Sequence, residues 1–248
     1  MKRLVYTVAF GSVFHDMAKM THPHIKSYAQ RHGADFLVVD ESNRLYPQHH
    51  ASYEDFQIPK WLETYDEIVH LDTDLIVAND APWLLDASTG RMCMFDESFR
   101  DAGDVSRTRV RYYLQYCHKT GKNFLGNNSM GFGNVKTVER VALKPWGRYF
   151  NIGVIGLSRR DASLFIDPEG FYDDDACGHQ TFMGHRIMER NHAVHDLGPE
   201  FNCMHQDWER SDFHQTAFVI HYASIRNYNW LFQQIPMDVE RLKSLGRL

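Results

Sequence analysis

Apolar stretches and polar punctuation alternate along the chain at the spacing of an α/β protein. Leu4 to Phe10 is rich in β-formers and ends at Gly11-Ser12, which predicts a strand and then a turn. Thr21 reads as a helix N-cap, with Pro23 in the first turn, Ile25, Tyr28 and Ala29 at helical spacing, and a stop at Gly33. Asp35 to Asp40 (DFLVVD) predicts a second strand. Strand, helix and strand in this order are the opening of an α/β fold around a parallel sheet.

Trp61 to Tyr65 has the pattern of a helix end, and Glu67 to Val77 (EIVHLDTDLIV) that of a buried strand interrupted by two aspartates. Met92 to Phe95 predicts a short strand closed by Asp96, Tyr149 to Ser158 a strand, Gln180 to Glu189 a helix, and Phe218 to Tyr222 (FVIHY) a final strand. Between 99 and 148 the pattern weakens. Arg107 to Tyr116 has helical spacing, and Gly121 to Asn134 is punctuated throughout by glycine and asparagine. A segment of that kind is a functional loop, a lid or a disordered insert. No internal repeat or linker divides the chain, so one domain over 1–248 is expected, with 99–148 as a mobile or acceptor-side insert.

Composition narrows the classes. The chain has 248 residues, 43% of them hydrophobic and 24% charged, which is globular rather than disordered. The net charge of −5 gives no electrostatic footprint for nucleic acid. Cys93, Cys117, Cys177 and Cys203 are widely spaced, which excludes a zinc ribbon or a dense disulfide framework and suits a reducing compartment. No apolar run reaches the roughly 18 residues that a membrane span needs. Met1-Lys2-Arg3 followed by Leu4 to Phe10 is too short for a signal peptide, and His15 and Asp16 follow at once. A cytoplasmic protein, free or peripheral to a membrane, is expected.

Four places carry candidate chemistry. Asp72-Thr73-Asp74 puts two carboxylates on one side of an extended segment, where hard oxygen donors suit Mn²⁺ or Mg²⁺ shared with substrate phosphates. Charge inside an apolar run needs a partner. In Tyr149-Phe150-Asn151-Ile152-Gly153-Val154, an amide and a glycine interrupt a strand, and glycine permits close approach of a ligand or of another backbone. Gly178-His179-Gln180 opens a helix after Asp173-Asp174-Asp175; on its own, ordinary capping is the better explanation. His221 ends the strand FVIHY, a position where a histidine is more often structural than a ligand.

Together these blocks resemble metal-dependent GT-A glycosyltransferases, in particular the retaining families 8 and 34. The resemblance runs from residue 4 to about residue 230 through YDEIVHLDTDLIVANDAPWLLD, MCMFD, FNIGVIGLS, GHQ, FNCM and FVIHY, and omits 99–148; HPHIKSYAQRHGADF is similar to the segment after the first strand in family 34. It implies an α/β, Rossmann-like GT-A domain with a mixed, mostly parallel sheet. It also implies Mn²⁺ (or Mg²⁺) held by Asp72, Asp74 and His221, and a UDP-sugar donor with Ala9, Phe10 and Gly11 lining its nucleotide pocket. Asp72 would also lie near the ribose. Asp96, Asn151 and Gln180 would surround the transferred sugar.

The implied reaction is transfer of a hexose, from UDP-galactose or UDP-glucose, to a glycan or other hydroxyl acceptor. The chain departs from family 8 in having His179-Gln180 for Asp-Gln, and Asn227 where a diphosphate lysine is common; Arg226 or Lys60 could supply that charge. Two rivals stay open: a catalytically weak glycan- or nucleotide-sugar-binding protein of the same fold, and a phosphatase that uses a D-x-D strand end.

Overall fold

Apolar residues on both faces of β1 (Arg3–Val8) make it a central strand: Leu4, Val5 and Tyr6 are all buried. The computed structural model describes residues 1–96, 150–165, 178–204, 208, 212–223, 225 and 227–248. The predicted helix at Arg107–Tyr116, the Gly121–Asn134 loop, the acidic run 173–175 and Arg226 lie outside them.

In chain order the elements are β1, α1 (Gly11–Arg31), β2 (Ala34–Val39), α2 (Ile58–Leu62), β3 (Glu67–Leu71), β4 (Leu75–Val77), α3 (Leu84–Ala87), β5 (Cys93–Asp96) and β6 (Phe150–Ser158). They continue with α4 (Gly178–Glu189), β7 (His195–Asp196), β8 (Cys203–Met204), α5 (Phe213–Thr216), β9 (Val219–His221) and α6 (Tyr228–Ser244). One sheet has six strands in the order β2-β1-β3-β6-β5-β7, and a second has three in the order β4-β9-β8. β1 runs parallel to both β2 and β3, while β6 lies antiparallel between β3 and β5. The fold is α/β with a mixed, mostly parallel sheet.

The period of two along the strands divides the core. Leu4, Tyr6, Ile68 and Ile155 face Phe56, Met183 and Ile187 on one side of the main sheet. Val5, Val69 and Val154 face Ile25, Tyr28, Trp83 and Leu84 on the other. A third cluster, with Met17, Ile76, Ile220, Leu231 and Ile235, holds α6 and α1 against the second sheet.

Two expectations need correction. The first helix begins at Gly11, ten residues before Thr21, and Pro23 lies in its interior. Its buried stripe, Met17, Thr21, Ile25, Tyr28 and Ala29, is continuous across the proline. Burial of that stripe outweighs the hydrogen bond that proline cannot make. Thr21 caps nothing: its hydroxyl donates to the Thr73 carbonyl at 2.7 Å. Gly33 does end the segment, with a positive φ of 62° that other residues rarely adopt.

The second correction concerns Glu67 to Val77, which is two strands and not one. β3 stops at Leu71, and β4 restarts at Leu75 in the other sheet. Thr73 fastens the turn between them. It is 3% exposed, its hydroxyl donates to the Val8 carbonyl at 2.7 Å, and it accepts from His22 Nε2 at 3.2 Å. Thr73→Val removes that buried donor and acceptor, at an expected cost of about 1–3 kcal/mol. Chemical denaturation measures it; an unchanged midpoint would show that the turn holds without the hydroxyl.

Candidate metal centre

The turn Asp72–Asp74 is tied to both sheets. Asp72 N donates to Gly153 O of β6 at 2.8 Å, and Tyr222 N, just past β9, donates to Asp74 O at 2.9 Å. β9 pairs antiparallel with β4, placing His221 opposite Leu75. That register turns His221 toward both aspartates. Its Nε2 lies 3.2 Å from Asp74 Oδ1 and 3.6 Å from Asp72 Oδ2. Ligand atoms of Asp72, Asp74 and His221 all lie within 4.8 Å of one another. The imidazole is 2% exposed, whereas the Asp72 and Asp74 side chains are 42% and 20% exposed, so the cluster opens to solvent on the carboxylate side.

Two carboxylate oxygens and one imidazole nitrogen suit Mn²⁺ and, through the oxygens, Mg²⁺. The space around them is kept by Gly153. A Cβ built there would lie 2.3 Å from His221 Cε1 and 2.7 Å from Asp72 Oδ2. The donor set and this clearance fit a divalent ion.

Burial opposes charge on His221, but Asp74 and then Asp72 outweigh it and push the imidazole up to about 10. His70 follows the same logic. It is buried two residues before Asp72, and its Nε2 lies 3.1 Å from Asp72 Oδ1. Burial lowers its pKa, Asp55 and Asp72 raise it, and the net direction is up. Asp55 comes from a short 3₁₀ turn, Ala51–Gln57, with Oδ1 3.5 Å from His70 Nδ1. His221 is backed by Asn202, whose Oδ1 lies 2.8 Å from His221 Nδ1.

Of the other candidate residues, Asn151 and Gln180 are tied to β6 next to Gly153. Asn151 Oδ1 accepts from Gly153 N at 3.0 Å and from Asn202 Nδ2 at 2.9 Å. Gln180, in the first turn of α4, accepts through Oε1 from Ile152 N at 3.4 Å. Asp96 ends β5, is buried, and lies beside Phe150 and Asn151 on β6. Ala9 is buried at the end of β1, and the half-buried Phe10 ring lies under the Arg44 guanidinium at 4.9 Å. Gly11 N donates to the Glu41 carboxylate at 2.8 Å. A cavity of about 270 Å³ opens beside Ala9, Val38 and Asp40 at the strand ends and His15, Lys19 and His22 on α1.

His179 Nε2 lies 3.4 Å from Asp55 Oδ2. The Lys60 ammonium sits 5.0 Å over the Trp61 ring, and Asn227 accepts from Trp230 N at 3.2 Å as the cap of α6.

His70, Asp55 and the supporting role of Asn202 were not read from the sequence. His70 was the most accessible of the three, because residues two apart on a strand share a face and it precedes Asp72 by two. Asp55 and Asn202 reach the site only through tertiary contacts.

No family model matches the chain, and no curated protein matches it. Solved structures do. A glycosyltransferase involved in glycosylation of the major capsid of PBCV-1 superposes with a TM-score of 0.54 at 12% identity, over 96% of this chain and 100% of that one. The apo bifunctional glycosyltransferase WbbM gives 0.54 at 16% identity over 98% of this chain, which spans 51% of that protein. Mouse xyloside xylosyltransferase 1 gives 0.50 at 14% identity, over 90% and 98% of the two chains. The chain has the GT-A fold. In such open α/β sheets, ligands bind beyond the carboxyl ends of the strands. Val8, Val39 and Leu71 end there, next to the Asp72–Asp74 turn.

Two outcomes are expected. Gly153→Ala should weaken Mn²⁺ binding by at least about tenfold, because the methyl group displaces His221 and Asp72 from their shared space. Titration of the variant checks this; unchanged affinity would show that the clearance is immaterial. With metal removed by EDTA, the raised pKa of His221 stabilises the fold fully below its unfolded value, about 6.5. That stabilisation should be lost as pH rises through about 10. Denaturation at pH 6 and pH 9.5 should show a drop that His221→Gln reduces.

Proposed function

We propose that the protein is a metal-dependent glycosyltransferase that moves a hexose from a nucleotide sugar, UDP-galactose or UDP-glucose foremost, to a hydroxyl of a glycan or other acceptor with retention of configuration. The observation that carries this reading is the meeting of Asp72, Asp74 and His221 at the carboxyl edge of a GT-A sheet. Asp72, Asp74 and His221 would hold the ion. Mn²⁺ or Mg²⁺ bound there would supply a Lewis acid that offsets charge on the leaving diphosphate.

The chain's own groups then divide the donor among them. Ala9 and Phe10 offer apolar surface to the base, and Gly11, without a side chain, leaves the approach open. Asp72 lies where the ribose would follow. Gln180, Asp96 and Asn151 surround the transferred sugar. Gln180 and Asp96 stand nearest in role to an oxocarbenium-like centre, which their oxygens would stabilise electrostatically. The domain over 1–248 would work as one unit, free in the cytoplasm or peripheral to a membrane. Among the described residues no helix is long and apolar enough to cross one.

A second reading, a nucleotide-sugar-binding protein without turnover, draws on Asn227. Its side chain caps α6, where family 8 enzymes commonly place a cation. The phosphatase reading is the weaker one, because its D-x-D normally ends the first strand and here the motif follows β3.

Release of UDP from a panel of UDP-sugars, with Mn²⁺ and with excess EDTA, tests the proposal. Turnover should require the ion, and Asp72→Asn or Asp74→Asn should lower it at least about a hundredfold with the fold retained. Full activity in EDTA would overturn the metal-dependent reading. Tight UDP·Mn²⁺ binding without release from any sugar would favour the binding protein.

A further inference from the structure

We infer that Asn202 is a positioning residue for the metal site: it fixes which nitrogen of His221 carries the proton, and Asn151 fixes Asn202 in turn. This rests on the metal reading above and deepens it.

The direction of every bond in the chain can be derived from one backbone donor. Gly153 N–H can only donate, so the Asn151 atom it meets at 3.0 Å is the carbonyl oxygen. The opposite end of that amide, Nδ2, faces the Met204 sulfur at 3.8 Å, an acceptor, which agrees. With Asn151 Oδ1 fixed as an acceptor, the Asn202 atom 2.9 Å from it must be the Nδ2 donor. The oxygen of Asn202 therefore points the other way, to His221 Nδ1 at 2.8 Å. A carbonyl oxygen accepts only, so Nδ1 carries the hydrogen. In the neutral ring, Nε2 is then left with its lone pair, and Nε2 is the nitrogen that faces Asp72 and Asp74.

A histidine that binds a metal through one nitrogen needs the other held by an acceptor. Here the acceptor is an amide whose orientation is set two links back. Asn202 and Asn151 are both deeply buried, 0% and 7% exposed, so water does not compete for these bonds. The backbone link comes from Gly153, the residue that also leaves room beside His221. A single short stretch of β6 thus clears the space and sets the tautomer.

The test is binding of Mn²⁺ alone, read from the electron paramagnetic resonance signal of free Mn²⁺, with circular dichroism as the check on folding. Asn202→Leu keeps the volume and removes the acceptor. Asn202→Ser is the second variant, polar but too short to reach Nδ1. Each is expected to weaken Mn²⁺ binding 10–100-fold. Asn151→Asp keeps both acceptor contacts and should bind at least as tightly as wild type, whereas Asn151→Leu should bind more weakly. This contrast separates positioning from bulk packing, because aspartate and leucine both fill the site. Failure of wild type to bind Mn²⁺ would overturn the metal reading itself. Wild-type binding with equal affinity in a folded Asn202→Leu or Asn202→Ser protein would overturn this inference alone. Asn151→Asp binding as weakly as Asn151→Leu would overturn the link through Asn151.

Discussion

The pairing of β4 with β9 is the constraint on which the site depends. Its three rungs place His221 opposite Leu75, the residue after Asp74. A slip of one residue would turn His221 to the other face of the sheet and bring Ile220 or Tyr222 to the carboxylates. The pairing is short, so register must come from elsewhere. Tyr222 N bound to Asp74 O extends it by one link, and Ala78 N bound to Phe218 O closes its other end. Burial of Leu75, Ile76, Val77, Val219 and Ile220 makes the alternative arrangement costly.

The first sheet contributes differently. β1 and β3 are parallel and end together, so the turn after β3 meets the end of β1 without any long loop. Thr73 makes the junction by donating to Val8 O while facing α1 through His22. The two aspartates both face His221 of the second sheet, and Asp72 also faces His70 of the first. One residue is spent on anchorage and its two neighbours are left for chemistry. Alternation of side chains along extended backbone makes that division possible.

This division explains which parts of the protein were legible. The strands read correctly wherever apolar runs were bounded by turn residues, as in β1, β2, β5 and β6. The D-x-D was legible as two carboxylates that could share an ion. The break around it was not, because two buried strands in different sheets are as apolar as one continuous strand. The first helix was misread for a related reason. His15, Asp16 and Lys19 hide a stripe in which Met17 and Thr21 are the buried members, and a proline drew the boundary to the wrong turn. The gathering of Asp72, Asp74 and His221 was suggested only by resemblance. Sequence spacing says nothing of a contact between positions 74 and 221, which β4 and β9 create. Asp55 carried no periodic or motif signal, and Asn202 was visible only as part of the FNCM block, with no role attached to it, since their importance lies in what stands in front of them.

Gly153 gives this arrangement an evolutionary reading. The two aspartates and the histidine can be preserved in a descendant while their arrangement is lost, because the space they share is guarded by a residue that contributes no polar side-chain atom to it. A single base change converts a glycine codon to alanine. Such a chain would still show both aspartates and the histidine, and a motif search would count it as intact. The identity of the residue at 153 is therefore a sharper sign that the space between Asp72 and His221 is kept in related sequences than the D-x-D itself.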